Sequence, residues 1–581
     1  VDSAALENNM DIQTKIKTGI VQALKSLGLT APEITLEHPA DPTHGDFATN
    51  VALALAKAAK KNPRELATAI AEATKKQFIE SVDKIEVAGP GFINFHLSDG
   101  FYGKELETIL KRKDLYGTSN EWRGRKVLVE YTDPNPFKVF HIGHLMSNAI
   151  GESIARVIAS QGPKVRRMCY QGDIGIHVAR AVWALQKDIE SMPSKRSPIS
   201  ERTTFLGACY VKGSTAYESD PEAKKEIDDL NKKIFEGKDR KLMKLYKSGR
   251  KWSLQHFEEI YKKLGTKFDY YYLESEVAHD GIAIVEEFAK KGIFEKSEGA
   301  TVFKGEKFDP KLHTRVFINS QGIPTYEAKE LGLNTKKWKK MRPDQSIIVT
   351  GNEVNDYFRV LMKALEIVEP DAAKVTEHVG HGMLRFADGK MSSRKGNVIT
   401  GESLMADVEA LILERLKERD MSDKQKKEAA EIITVAAIKY LILRQVTSSD
   451  VIYDFDKSIS FEGDSGPYLL YTAVRAGSIL EKAKKEGIKA KVERLHASGL
   501  MERKLAQFPE IVTRAAVEKA PHHIATYLIE LSSLFNSWYA NVPIVVKGDV
   551  ESPYKVALTQ AVRIVLMNGL KLLGMKVPER M

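Results

Sequence analysis

The sequence predicts a multidomain α/β protein: a parallel-sheet domain carrying a helical insertion, with a small α+β domain before it and an all-α domain after it. Three observations lead there. Val127-Leu128-Val129 is a short continuous apolar run, as in strands buried on both faces. A helical pattern (Ile150, Ile154, Val157, Ile158) and then KVRRMCYQGDIG, as strand and loop, follow it within about 45 residues, which is a βαβ unit. QSIIVTG followed by DYFRVLMKALEIV repeats the theme, and from about Leu404 the periodicity is helical almost to the end. At 581 residues the chain is too long for one core and should divide into about three or four domains.

Taken in order, the first nine residues, VDSAALENN, look like an expression remnant, with Met10 as the expected native start. Asp11 to Leu29 reads as a helix on Ile12, Ile16, Ile20, Leu24 and Leu27, with Gly28 to end it. KNPRELATAIAEATKK gives another, with Asn62 as N-cap and Pro63 at the first helical position. KIEVAGPGFINFHL reads as two strands around a Gly-Pro-Gly turn, and FYGKELETILKRKDLYG as a helical linker. The expected plan is thus an α+β domain over 10–105, the parallel-sheet domain over 106–403, a helical connector over 404–460 and an all-α domain over 461–581. A Lys/Glu-rich helical stretch at about 186–265 is too long for a loop and reads as an insertion. Its EAKKEIDDLNKKI run reads as a solvated amphipathic helix.

Composition narrows the chemistry. The formal net charge of +10 suits a polyanionic partner without requiring one. The only two cysteines, Cys169 and Cys209, lack CxxC or Cys/His spacing, which argues for a reducing, cytoplasmic setting and against structural zinc. No apolar run reaches membrane-spanning length and no signal-peptide pattern opens the chain.

Two motifs carry the chemistry. In FKVFHIGHL a strand feeds a glycine-bearing turn into a helix, whose N-terminus offers unpaired N–H groups and a positive dipole end to phosphate. Gly143 permits close approach to the backbone, and His141 and His144 add donors for charge developing on phosphorus. Alone, HxGH is also what a polar surface turn looks like. In DGKMSSRKGNVI, Lys390, Arg394 and Lys395 sit among serines and glycines, as a loop folding over a triphosphate would need; alone it reads as an exposed basic loop.

The pair, HIGH after the first buried strand and a KMS-type loop about 250 residues on, resembles the class I aminoacyl-tRNA synthetase signature, and no GxxxxGK[ST] loop offers another ATP site. The flanks are similar to one subfamily, the arginyl-tRNA synthetases. VEYTDPNPFKVFHIGHL resembles that family's signature, and HGDFATNVAL with AGPGFINF its N-terminal domain, which grips the tRNA elbow. SGPYLLYTAVRAGSIL, HHIATYLIELSSLFNSWYANVPI and LKLLGMKVPERM resemble its anticodon-binding bundle.

The resemblance implies a Rossmann-type catalytic domain, L-arginine, ATP with Mg²⁺ and tRNA(Arg) as its ligands, and a monomer, the family default. It assigns arginine contacts to Glu130, Asp133, Pro134, Asn135, His144, Tyr326, Glu330 and Glu353. ATP contacts fall to His141, Gly143, His144, Met391, Ser392 and Ser393, and tRNA contacts to Asn50, Tyr468, Tyr471, Trp538 and Tyr539, with Phe535 a further aromatic candidate. A guanidinium is best held by carboxylates in bidentate geometry, which agrees with the acids in this set. Glu330 stands where the family usually has Asp, and Glu353 where Gln is common.

Two departures bear on mechanism. Ser393 occupies the fourth position of the KMSKS signature, normally the catalytic lysine, and Lys138, three residues before His141, sits where some arginyl enzymes carry one instead. Lys138, assisted by Lys390, Arg394 or Lys395, is therefore the expected triphosphate-stabilising cation. His177 stands where the family often has Gln, with no role assigned. The resemblance further implies activation that requires bound tRNA and transfer to its terminal 2′-OH. A class I lysyl enzyme is one rival, since it also has a KMSSSKG-like loop and a cationic substrate; the N-terminal unit and the PERM ending point to arginine. A non-catalytic tRNA-binding paralogue is the other, opposed by both histidines, Asn135 and Lys138.

Overall fold

Ile12–Ser26 winds into a helix because its apolar residues recur on one face, and Gly28 follows it at φ 70°, in the left-handed region that suits glycine. Asn62 caps Pro63–Lys75 by accepting from the Arg64 and Glu65 N–H groups at 2.9 and 3.4 Å. Strands Val82–Ala88 and Phe92–Leu97 form the expected hairpin, joined by a third, Phe47–Thr49, too short to register in the sequence pattern. Ile16, Ile20, Leu66, Ile70, Ile93 and Phe95 pack between these helices and this sheet.

The computed structural model describes residues 11–77, 79, 81–386, 400–493 and 498–581. They form two compact units. One holds the chain as far as Tyr116 with Ser478–Gln507 and Ser537–Val565; the other holds Gly117–Gly477, Phe508–Asn536 and Leu566–Met581.

The second unit is built on a five-stranded sheet: β1 (Lys126–Tyr131), β2 (Lys164–Gln171), β3 (Tyr270–Leu273), β4 (Gln345–Gly351) and β5 (Thr376–His381). Its order is β5-β4-β1-β2-β3 and every pairing is parallel. The chain builds outward from β1 through β2 to β3, then returns to the other side of β1 for β4 and β5. The carboxyl ends of β1 and β4 therefore flank the topological switch point, where open α/β sheets bind ligands. Helix Ile142–Ala159 packs so close to β1 that a Cβ on Gly151 would run into the Tyr131 ring.

Residues in the expected insertion form helices Ile199–Ser219, Pro221–Glu236 and Arg240–Leu264, whose apolar faces (Leu206, Ile227, Leu242, Trp252) meet Val178 and Val182 of helix Ile176–Lys187. Glu295–Ser297, Ala300–Lys304 and Thr314–Ile318 make a small antiparallel sheet. Among the described residues beyond Leu404 the helical reading holds with one exception: Val451–Tyr453 is a strand, paired in parallel with Leu384–Phe386.

Candidate active site

The turn between β1 and the following helix is held in an unusual conformation. Thr132, Asp133 and Phe137 all have positive φ (81°, 43° and 69°), a costly arrangement for residues with side chains and one that must be fixed by surrounding bonds. Those bonds exist. The Thr132 N–H donates to Ser147 Oγ at 2.9 Å, which itself donates to the Val349 carbonyl of β4. Asn148 Nδ2 donates to Thr132 Oγ1 at 3.0 Å, and the Phe137 N–H donates to Ser253 Oγ at 2.9 Å.

The turn delivers the two histidines. His141 occupies the N-cap of helix Ile142–Ala159, so the N–H groups of Ile142 and Gly143 have no partner within the helix. The His141 N–H donates to His144 Nδ1 at 3.3 Å, and the two rings stack at 3.5 Å between centroids. Burial, then His141, then Lys138 push the His144 pKa well below its usual value. Burial and Lys138 lower His141 against an opposing pull from Glu353. Both imidazoles are thus neutral, and since His144 Nδ1 accepts, its proton resides on Nε2 as a fixed donor. Gly143 leaves room beside the His141 ring, which a Cβ there would meet at 3.0 Å. Lys138, half-buried, holds its ammonium 5.4 Å from the centroid of the Tyr210 ring.

Beside this turn lies an acid-rich nest. Glu130, next to last in β1, is almost fully buried, and one of its oxygens accepts from Lys337 Nζ at 2.8 Å. Glu274, directly after β3, pairs with Lys329 at 2.5 Å. Asp133 Oδ1 accepts the Tyr170 N–H at 2.6 Å. Glu330 accepts from Asn334 Nδ2 at 3.3 Å. Four carboxylates (Glu130, Asp133, Glu274, Glu330) thus face two lysines. Burial raises Glu274 despite its lysine, and the two acids without a lysine are shifted further. Burial, then the Glu130 charge, raises Asp133 well above the usual carboxylate range; the same causes, in the same order, push Glu330 up to about 8. A pocket in this state favours an incoming cation rich in hydrogen-bond donors.

The expected site residues divide accordingly. Lys138, His141, Gly143 and His144 share the turn. Glu130, Asp133 and Glu330 share the nest, Pro134 next to Asp133 in the turn is buried, and Asn135 lies against Gly172 just past β2. Tyr326 is half-exposed, on the same face of helix Tyr326–Met341 as Glu330 four residues on, with Lys329 Nζ 4.4 Å from its ring centroid. Glu353 is exposed after β4, and its field acts on His141 and His381. Lys390, Met391, Ser392, Ser393, Arg394 and Lys395 lie outside the described residues. Just past them, the Gly401 N–H donates to the Phe140 carbonyl at 2.8 Å, and Thr400 bridges His141.

Of the tRNA candidates, Asn50 is exposed at the N-terminus of helix Val51–Ala59, Tyr468 and Tyr471 are half-buried, and Tyr471 carries Arg475 4.6 Å from its ring centroid. Trp538 is half-buried and Tyr539 exposed, whereas Phe535 is fully buried and belongs to the core, which removes it as a stacking platform.

Several site residues escaped sequence reasoning. Nothing in the sequence around Lys329 and Lys337 marks them as buried partners of distant acids, and Glu274 follows a strand at its carboxyl end, where sites form. Fully buried Asp173 accepts from Tyr246, Arg250 and Ser275, tying the loop after β2 to the insertion. His177 has a structural place: its Nε2 bonds the Gly172 carbonyl at 2.8 Å, and burial lowers its pKa to about 3. Among the described residues no group of three or more His, Cys, Asp or Glu side chains is arranged to hold a metal ion.

A parallel sheet with a helix-capping HIGH turn at its switch point defines a class I aminoacyl-tRNA synthetase site, and comparisons with known proteins agree. Residues 105–455 match the model described as tRNA synthetases class I (R), catalytic domain. Residues 14–97 match the arginyl tRNA synthetase N terminal domain and 469–581 the DALR anticodon binding domain. The arginine–tRNA ligase of Treponema denticola is 31% identical over 93% of this chain and 93% of its own; that of Lactobacillus johnsonii is 32% identical over 98% and 100%. The solved arginyl-tRNA synthetase of Thermus thermophilus shares the fold at TM-score 0.78 and 23% identity, covering 98% of this chain and all of its own. The chain belongs to the arginyl-tRNA synthetases.

Proposed function

We infer that the protein is an arginine–tRNA ligase that forms arginyl-adenylate only with tRNA bound. The observation that carries the specificity is the buried nest, in which Asp133 and Glu330 lack the lysine partners that Glu130 and Glu274 have. A guanidinium with five donors answers that deficit, and Asn135 and Tyr326 border it. A lysine ammonium would supply the charge but not the planar fork.

In the first step the arginine carboxylate attacks the α-phosphorus of ATP in line and pyrophosphate leaves. No side-chain nucleophile is needed, so positioning and charge stabilisation do the work. His144 Nε2–H, His141 and the free N–H groups at Ile142 and Gly143 hold the phosphate side. Lys138, with Lys390, Arg394 or Lys395, stabilises the departing pyrophosphate. Mg²⁺ enters with ATP, whose phosphate oxygens are its natural ligands. In the second step the terminal 2′-OH of tRNA(Arg) attacks the adenylate carbonyl and AMP leaves. Asn50 meets the tRNA elbow, and Tyr468, Tyr471, Trp538 and Tyr539 meet the anticodon loop, in keeping with an N-terminal elbow domain (10–105) and a C-terminal anticodon domain (461–581). The same reading makes the enzyme a cytoplasmic monomer, in keeping with the free thiols of Cys169 and Cys209.

ATP–pyrophosphate exchange with arginine and with lysine, each with and without tRNA, tests this. Exchange is expected with arginine and tRNA together, and Lys138→Ala should lower it about 100- to 1,000-fold, the usual cost of one transition-state charge contact. Exchange with lysine would overturn the specificity. Exchange with neither amino acid would favour a tRNA-binding protein without catalysis.

A further inference from the structure

Helix Arg240–Leu264 has two working faces. One touches the signature turn: Ser253 Oγ holds the Phe137 N–H, and His256 pairs with Glu402 at 2.9 Å. The other carries Arg240, Lys244, Lys247 and Lys251, spaced four, three and four residues apart, so they form one stripe rising about 4.5–6 Å per step. With Lys195 and Arg202 these cations line an open cleft of about 850 Å³ floored by Met243 and Trp252.

This cleft differs from the rest of the insertion's surface. No carboxylate lines it, and among the described residues none of its six cations has a salt-bridge partner. The neighbouring helix Pro221–Glu236, by contrast, mixes lysines with glutamates and aspartates. The buried Nε of Arg202 has no hydrogen-bond partner, and its guanidinium lies 5.5 Å from the centroid of the Trp252 ring. Like charges three and four residues apart on one helix repel, so the stripe costs stability unless an anion meets it. A compact anion would need donors converging on a point. A stripe with even steps in an open cleft fits a chain of phosphates.

We propose that this cleft is a docking site for the sugar–phosphate backbone of the tRNA substrate, contributing about three phosphate contacts through Lys244, Lys247 and Lys251. It rests on the reading of the protein as a tRNA ligase. Docking here loads the helix whose opposite face holds the turn bearing Lys138.

The test is the affinity of the full-length protein for a tRNA(Arg) transcript, measured by fluorescence anisotropy across a salt series, with charging of the same transcript followed in parallel. The variant carries Lys244→Ala, Lys247→Ala and Lys251→Ala together; all three side chains are exposed, so the fold should survive. The dependence of log K on log salt should flatten by about 2–3, affinity should fall about tenfold, and KM for tRNA should rise with kcat at saturating tRNA nearly unchanged. Lys225→Ala, Lys232→Ala and Lys233→Ala together remove equal charge from the neighbouring helix and should change the slope by less than about 1. An unchanged slope in the first variant, or an equal change in both, would overturn the proposal. So would loss of polyglutamate binding with tRNA affinity intact, which would assign the cleft to an acidic protein segment. Wild type that binds the transcript but charges nothing would sink the ligase reading and leave the cleft assignment standing.

Discussion

At the scale of single residues, burial has fixed protonation before any substrate arrives. His177 is the clearest case: its folded pKa is about 3, against about 6.5 in an unfolded chain. The unfolded chain therefore takes up more protons as pH falls through about 6.5, and folded stability is lost in acid, not in base. Between pH 7 and pH 5 this one group should cost about 2 kcal/mol. Glutamine can make a similar bond to the Gly172 carbonyl without titrating. We expect apparent melting temperature to drop over that range in the wild type and to drop less in His177→Gln; equal slopes would show that the ring is already protonated in the folded state. His144 and His141 contribute in the same direction, so no activity limb should reflect their titration near pH 6.5.

At the scale of elements, the ion pair between β1 and helix Tyr326–Met341 is the more exposed to mutation. Lys337 and Glu130 are 207 residues apart and both nearly fully buried. Removing the lysine leaves a buried carboxylate in a nest already short of cations. Lys337→Met should cost about 3–5 kcal/mol in urea-induced unfolding, and adding Glu130→Gln should restore part of it by removing the stranded charge. A double variant as unstable as the single would mean that lost packing, not charge, sets the cost. This pair also shows what sequence could and could not carry. The β1–turn–helix element was legible because an apolar run, a glycine and a 3.6-residue pattern stand side by side. Glu130 and Glu330 were reached through the family resemblance. Their lysines were not, because nothing local separates a lysine aimed at a distant acid from one in water. β5 was missed for a similar reason: TEHVGH is an edge strand and lacks the apolar run that marks an interior one.

At the scale of the whole molecule, the described residues up to Tyr116 share a compact unit with helices from near the other end of the chain. A hub residue explains the attachment. Asp46, largely buried, accepts the Leu97 N–H at 2.7 Å, the Tyr102 hydroxyl, and Arg503 Nη1 at 2.5 Å from helix Leu500–Ala506. Asp99 adds bonds from the Ser498 N–H and hydroxyl at 2.8 and 2.7 Å, and the Tyr116 hydroxyl donates to the Leu505 carbonyl at 3.2 Å. Sequence reading divided these segments into separate N- and C-terminal domains, because contacts across almost 460 residues leave no periodic trace. The physical consequence is cooperative unfolding: the hairpin Val82–Leu97 should not open alone while Arg503 holds Asp46. A double-mutant cycle with Asp46→Asn and Arg503→Met should give a coupling energy of about 1–3 kcal/mol. Arg503→Met should also speed amide exchange in the hairpin strands, far from the substitution in sequence. Additive effects, with exchange in the hairpin unmoved, would mean the α+β domain is stable on its own core and merely touches the helix that carries Arg503.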